Sequence, residues 1–241
     1  MQAIFTVIAF IIGACLGSFL CCQARRLHLR IAKNKKLGSR SVCLKCHTKL
    51  KWYDNIPIIS WLVLKGKCRK CHKKIGIGEF ISELASALTF SLLSFNFNFE
   101  NIYFSIVFII FIINFLFLAI YDGLYGELPN FNLWLAIILA IILTVFNFSL
   151  PHLTDIIFSV AILGGTYLIL YLVSKGQWVG DGDWLLGTAI GLVLGSPWLA
   201  LVTLFLSNLL ACIVMLPLTK GQNHKIPFGP FLIAAFIIVM V

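Results

Sequence analysis

The chain has 241 residues, of which 60% are hydrophobic and 12% charged; a soluble domain of this length carries roughly 25% charged residues. That balance excludes a water-soluble globular protein and makes lipid the solvent for most of the chain. The net charge of +10 is read as membrane topology rather than nucleic-acid binding, because the 19 Lys and Arg residues sit in three places only: 16 between Arg25 and Lys74, then Lys175, then Lys220 and Lys225.

A helix needs about 20 apolar residues to cross the hydrocarbon core. The first apolar run, 3–22, has no basic residue before it and is followed by Arg25 and Arg26 instead of a small-residue cleavage site. It is expected to be a retained first span with the N-terminus outside. Further spans are predicted at 80–97, 101–121, 131–150, 154–174, 184–195, 197–218 and 226–241. The apolar run 184–218 is too long for one straight span, and Gly195-Ser196-Pro197 supplies the break. The last span opens with Pro227 and Pro230 and is short. Alternation from an outer N-terminus puts 23–79, 122–130, 175–183 and 219–225 in the cytoplasm, where every basic residue then lies. The outer turns carry only the acids Glu100 and Asp155. The expected fold is an all-α polytopic membrane protein of about eight transmembrane helices. Its organisation is read as a first transmembrane helix over 1–22, a cytoplasmic loop over 23–79 and a transmembrane core over 80–241.

The loop holds Cys43-x-x-Cys46 and Cys68-x-x-Cys71, separated by 21 residues. Two such pairs can place four thiolates tetrahedrally, the geometry Zn2+ favours. The octapeptides beginning at Cys43 and Cys68 match at five of eight positions, which predicts two like knuckles facing each other across one metal, a zinc-ribbon arrangement. Disulfides are disfavoured in a reducing compartment. Four Cys leave no open position for water, so the site is expected to be structural. His47 and His72 are read as solvated or supporting groups rather than ligands.

Ionisable groups near hydrocarbon are functional candidates by default. Asp122 ends the third span and Asp183 opens the sixth, and the Lys/Arg topology puts both at one membrane face. Two carboxylates there can share a proton and a water, one as base and one as acid. Asp183, Gly187, Gly191 and Gly195 form one stripe at four-residue spacing, so Asp183 is expected to face a neighbouring helix. Gly180 and Gly182 suit an irregular backbone beside a substrate strand.

In this order the motifs resemble the type IV prepilin peptidases, a GxGD-type aspartyl protease family. The likeness runs through Gly17-Ser-Phe-Leu20, the two cysteine pairs around Trp52-Tyr-Asp-Asn-Ile-Pro57 and Ser60-Trp61, and Glu83-Leu84. It continues in Asp122 seven residues before Pro129, Gly180-Asp-Gly-Asp183, and Pro-Phe-Gly-Pro at 227–230. The chain departs from the pattern at Leu185, Asn130 and Gly78-Glu79, and carries Asp181 as an extra acid.

The resemblance implies that Asp122 and Asp183 are catalytic, with Gly180, Gly182, Pro129, Pro227, Gly229 and Pro230 as substrate-loop and supporting residues, and Cys43, Cys46, Cys68 and Cys71 as metal ligands. It implies removal of the basic leader from prepilins or pseudopilins at the cytoplasmic face of the bacterial inner membrane. In many members N-methylation of the new terminus follows, with S-adenosylmethionine as donor. The implied partners are the prepilin substrate and the lipid bilayer, and no nucleic acid. The residues leave two rivals open: a transporter or channel using the same aspartates as ion sites, and a presenilin-like intramembrane protease, which Tyr121-Asp122 also suits.

Overall fold

In the computed structural model, residues 2–33, 42–43, 45–46, 48–95, 102–146, 152–177, 179–218 and 227–241 are described. His47, Glu100, Lys220 and Lys225 lie outside the described residues. The chain divides into two compact units, Met1–Phe97 and Asn98–Val241.

In the first unit, α1 (Gln2–Lys33) and α3 (Ile77–Leu93) pack antiparallel, with a 3-10 turn (Trp52–Asn55) and a short α2 (Ile59–Val63) between them. The first span was expected to end at residue 22, but α1 continues to Lys33. Ala24, Arg25, Arg26 and Leu27 are good helix formers, and the Arg25 guanidinium forms an ion pair with Glu79 of α3.

Above that pair the two helices touch backbone to backbone. A Cβ on Gly17 would lie 2.6 Å from the Ser82 carbonyl oxygen and 2.9 Å from the Glu83 Cα; one on Gly13 would lie 2.5 Å from the Ser86 carbonyl oxygen. Small residues at four-residue spacing let helices approach this closely in lipid. Further along, the Ser94 hydroxyl donates to Thr6 Oγ1 at 3.3 Å. Gly17→Leu should force these helices apart and destabilise the unit by about 1–3 kcal/mol, read as a lower melting temperature in detergent.

The second unit contains α4 (Ile102–Tyr125), α5 (Asn130–Phe146), α6 (Leu153–Val160), a π turn (Ala161–Gly165), α7 (Thr166–Ser174), α8 (Asp181–Leu194), α9 (Pro197–Leu218) and α10 (Gly229–Met240). The predicted break between the sixth and seventh spans is present: α8 ends at Leu194, Gly195 caps it in the left-handed conformation at φ 58°, and α9 opens on Pro197. The span predicted over 154–174 is one apolar stretch with the π turn inside it, a widened turn of the kind often found where a helix is locally re-aimed.

Among the described residues, four stretches are long and apolar enough to cross a membrane: Gln2–Ile31, Ile102–Tyr125, Leu153–Ser174 and Pro197–Met215. Asn130–Phe146 and Gly229–Met240 are shorter apolar helices. The molecule is an all-α polytopic membrane protein.

Polar cross-links stitch the second unit where the hydrophobic effect offers little. Asn114 Nδ2 donates to the Asn132 carbonyl at 2.9 Å, and Asn132 Nδ2 returns to Asn114 Oδ1 at 2.8 Å, locking α4 to α5. The Thr144 hydroxyl donates to the Leu192 carbonyl at 3.0 Å and the Ser159 hydroxyl to the Gly191 carbonyl at 2.8 Å, tying α5 and α6 to α8. Phe111, Phe115 and Phe236 form an aromatic core between α4 and α10, with centroids 4.2–6.1 Å apart.

Candidate active site

Asp122 lies on α4 itself, one turn before its end. The helix runs on to Tyr125 and closes when the Gly126 amide, at φ 67°, donates to the Asp122 carbonyl at 2.7 Å. A turn-forming role for its side chain is therefore unnecessary. The carboxyl is 5% exposed and accepts a 2.9 Å hydrogen bond from the Gly229 amide at the start of α10. Gly229 has to be glycine here, since a Cβ would stand 2.8 Å from Asp122 Oδ2. Pro230 covers Gly123, with its Cγ at 3.6 Å from where a Cβ would be.

Asp183 was expected to open its helix; α8 instead begins at Asp181, which makes Asp183 the third residue. From there its Oδ2 accepts the Gly180 amide at 2.9 Å. This is the return half of a capping box, the only half available when the cap residue has no side chain. Asp183 is 6% exposed, whereas Asp181 one turn edge away is exposed.

The glycine stripe below Asp183 works as expected at two of its three positions. A Cβ on Gly187 would meet the Leu163 carbonyl at 3.0 Å and Tyr167 at 3.1 Å, and one on Gly191 would meet the Val160 Cα at 2.8 Å. Gly195 serves instead as the helix terminator. Gly182 packs on the segment after Asp122: its Cβ would fall 2.7 Å from Leu128 Cδ1 and 3.1 Å from Leu133 Cδ1. Pro129 supplies the carbonyl that receives the Asn132 and Leu133 amides at 3.0 and 3.2 Å, and so starts α5.

These contacts bring Asp122, Pro129, Gly180, Gly182, Asp183, Gly229 and Pro230 into one neighbourhood. The two carboxyl groups are close enough for the Asp183 charge to act on Asp122. Each keeps one carboxylate oxygen on a backbone amide, leaving the other for a proton or a water.

The sequence reading missed Tyr167. It is 2% exposed, feels the Asp183 charge, hydrogen-bonds Ser207 Oγ at 3.2 Å and packs against Phe228 in a tilted ring pair with centroids 5.2 Å apart. Phe228 precedes the Gly229 that holds Asp122, so the turn at 227–230 links the surroundings of both acids. A tyrosine in an apolar run reads as core, and the sequence offers nothing to distinguish this one.

In the first unit the four cysteines form a cluster whose sulfurs all lie within 4.8 Å of one another. Cys43 and Cys71 are 3.9 Å apart, Cys46 and Cys68 4.0 Å. A tetrahedron of sulfurs at 2.3 Å from a metal has edges of about 3.8 Å, so the set can hold one ion. The internal repeat is real in three dimensions: Val42 bridges Lys49 as Lys67 bridges Lys74. The Cys43 amide donates to the Thr48 carbonyl at 3.0 Å as the Cys68 amide does to that of Lys73 at 2.9 Å. Hydrogen bonds from the Thr48 side chain and backbone pull the Cys46 thiol down to about 6, and the backbone amides of Cys71 and Lys70 lower that of Cys68. Both shifts favour the thiolate that binds metal, whereas burial and the three neighbouring thiols push Cys71 up to about 11.

Helices, buried acid pair and thiol cluster together define a polytopic membrane protein with a four-cysteine loop module that can hold a metal. A prepilin leader peptidase/N-methyltransferase of Vibrio cholerae serotype O1 is 31% identical over 260 aligned residues, spanning 99% of this chain and 97% of the relative. The chain belongs to the prepilin leader peptidase/N-methyltransferase family. The family model for the Bacterial Peptidase A24 N-terminal domain matches residues 11–97. A relative of the same name from Pseudomonas aeruginosa is 27% identical across 96% of this chain and 88% of its own length. One from Myxococcus xanthus is 38% identical over 87 residues, 36% of this chain and 25% of the relative. No solved structure matches the chain.

Proposed function

We propose that this protein removes the leader peptide from type IV prepilins or pseudopilins, with Asp122 and Asp183 as the catalytic acids. The observation that carries the reading is the pairing of two buried carboxyls, from α4 and α8, each steadied by a glycine amide, with the Asp183 charge acting on Asp122. One acid takes a proton from the attacking water, and the other protonates the leaving amine. Glycines at 180, 182 and 229 let the backbone and the Leu128 side chain close around the two carboxyls without a Cβ in the way. The distribution of Lys and Arg supports a site at the cytoplasmic face with the N-terminus outside, and the family resemblance supports a bacterial inner membrane.

Zn2+ is the ion that four thiolates in a tetrahedral set select, and its role is structural. Methyl transfer rests on the resemblance and on the relatives' name. S-adenosylmethionine would supply the methyl group, and a cleft of ≈ 630 Å³ in the first unit, walled in part by Arg25, Trp61, Glu79 and Glu83, has room for a molecule of that size.

Co-expression with a prepilin, followed by mass spectrometry of the pilin N-terminus, tests both activities. A leader-free pilin supports the peptidase, and a further 14 Da, about one methyl group, supports the transferase. An unprocessed prepilin rejects the reading. Gly229→Ala should slow cleavage by about 10- to 100-fold by displacing the Asp122 carboxyl, while substrate binding in a pull-down stays near that of the parent protein.

A further inference from the structure

The first unit carries a feature that neither the acid pair nor the cysteine cluster uses. The α2 segment displays Ile59, Leu62 and Val63 at 58%, 54% and 70% exposure. These are large apolar side chains on a loop that carries 12 Lys and Arg residues between Lys35 and Lys74. The segment is not a free loop, because its depth along the helix pair is fixed at two points. The Ile58 amide donates to Glu83 Oε2 at 2.7 Å, and the Trp61 ring stacks on Phe80 with centroids 4.7 Å apart.

Those anchors can be placed relative to the membrane. On α1 the apolar run ends at Cys22, and Arg25 pairs with Glu79 of α3, so that ion pair marks the polar edge. Glu83 stands one helical turn further along α3, about 6 Å deeper, where it packs beside Gly17 within the apolar run of α1. The segment from Ile56 to Leu64 is therefore hung below the Arg25–Glu79 pair. On α3, Ile77 and Ile81 flank the ion pair at 62% and 54% exposure. Ile58 adopts φ 62°, a conformation a β-branched residue enters only under constraint, and the Glu83 hydrogen bond is that constraint. Lys65 and Lys67 follow directly, placed for headgroup contact as basic residues are at membrane edges.

We propose that residues 56–64 form an interfacial anchor, with Ile59, Leu62 and Val63 inserted among lipid at the headgroup–acyl boundary. The occupant is the bilayer itself. The anchor fastens the cysteine module to the membrane surface through Pro57 and the Ile58 turn at one end and the Lys65–Gly66 turn at the other.

The test is photo-crosslinking of the full chain reconstituted in phosphatidylethanolamine/phosphatidylglycerol vesicles. A benzophenone amino acid replaces Val63, and in a reference protein Lys70 on the cysteine module. Leu62 is the second reporter position should the Val63 variant misfold. Lipid adducts at the α2 position should exceed those at Lys70 by about tenfold. Equal yields at both positions would overturn the proposal. So would α2 adducts that are mainly peptide, whether from residues 98–241, from a second copy or from added prepilin.

Discussion

Asp122→Asn and Asp183→Asn should each reduce prepilin cleavage in proteoliposomes by at least about 100-fold, the lower range for losing a general acid or base. Asparagine keeps the shape and the acceptor oxygen, so the hydrogen bonds from Gly229 and Gly180, both 2.9 Å, can persist. Melting temperatures close to that of the parent protein would show that the loss is chemical and not structural. The double variant should be no slower than either single one, because two groups that pass one proton act as a unit and their losses do not add.

Asp181→Asn is the internal control. Its side chain is exposed, makes no hydrogen bond to Gly180 and reaches Asp183 only through a solvent-screened charge, so it should keep activity within about threefold. Cleavage that survives in both single variants at Asp122 and Asp183 would remove the acid pair from the chemistry. An ion flux lost in the same variants, without cleavage in the parent, would make the carboxyls transport sites.

The elements legible in the sequence were those set by local chemistry. Gly195-Ser196-Pro197 broke the long apolar run because proline cannot continue a helix and glycine can enter the left-handed region; both effects act within three residues. The repeat around Cys43 and Cys68 announced two like knuckles for the same reason. The acids stood out because a charge in an apolar chain has few neutral explanations.

Less legible were features set by contacts between distant residues. The extension of α1 to Lys33 involves Arg25 and its partner Glu79, more than 50 positions away. Asp183 sits third in its helix because Gly180, without a side chain, leaves its own amide to be satisfied from Asp183. The hydrogen bond from Ile58 to Glu83, and the place of Tyr167 between Phe228 and Ser207, leave no periodic trace at all.

Removing the metal should have the largest structural effect. The purified protein is expected to carry one Zn2+ per chain by elemental analysis, and Cys46→Ser combined with Cys71→Ser should abolish it. The module from Val42 to Ile75 has little apolar interior of its own: among its described residues Cys68 is the buried hydrophobic one, and Trp61 borrows Phe80 from α3. Ordering such a segment costs about 1–2 kcal/mol per residue, a sum that a few side chains cannot offset. Metal binding worth about 10–16 kcal/mol in small zinc peptides is of the right size to tip the balance.

Without the ion, Lys45, Lys49, Lys51, Lys65, Lys67, Arg69, Lys70, Lys73 and Lys74 become trypsin sites on an open chain. Limited proteolysis should therefore cut the double-serine variant in this loop at least about tenfold faster than the parent, as expected when a site leaves a folded unit. The helices of residues 98–241 should stay resistant, because they form a compact unit of their own. A zinc-free protein that resists trypsin as well as the parent would mean that the four thiols are held by the helices α1 and α3 and the strained Ile58 turn, and the metal's structural role would be withdrawn.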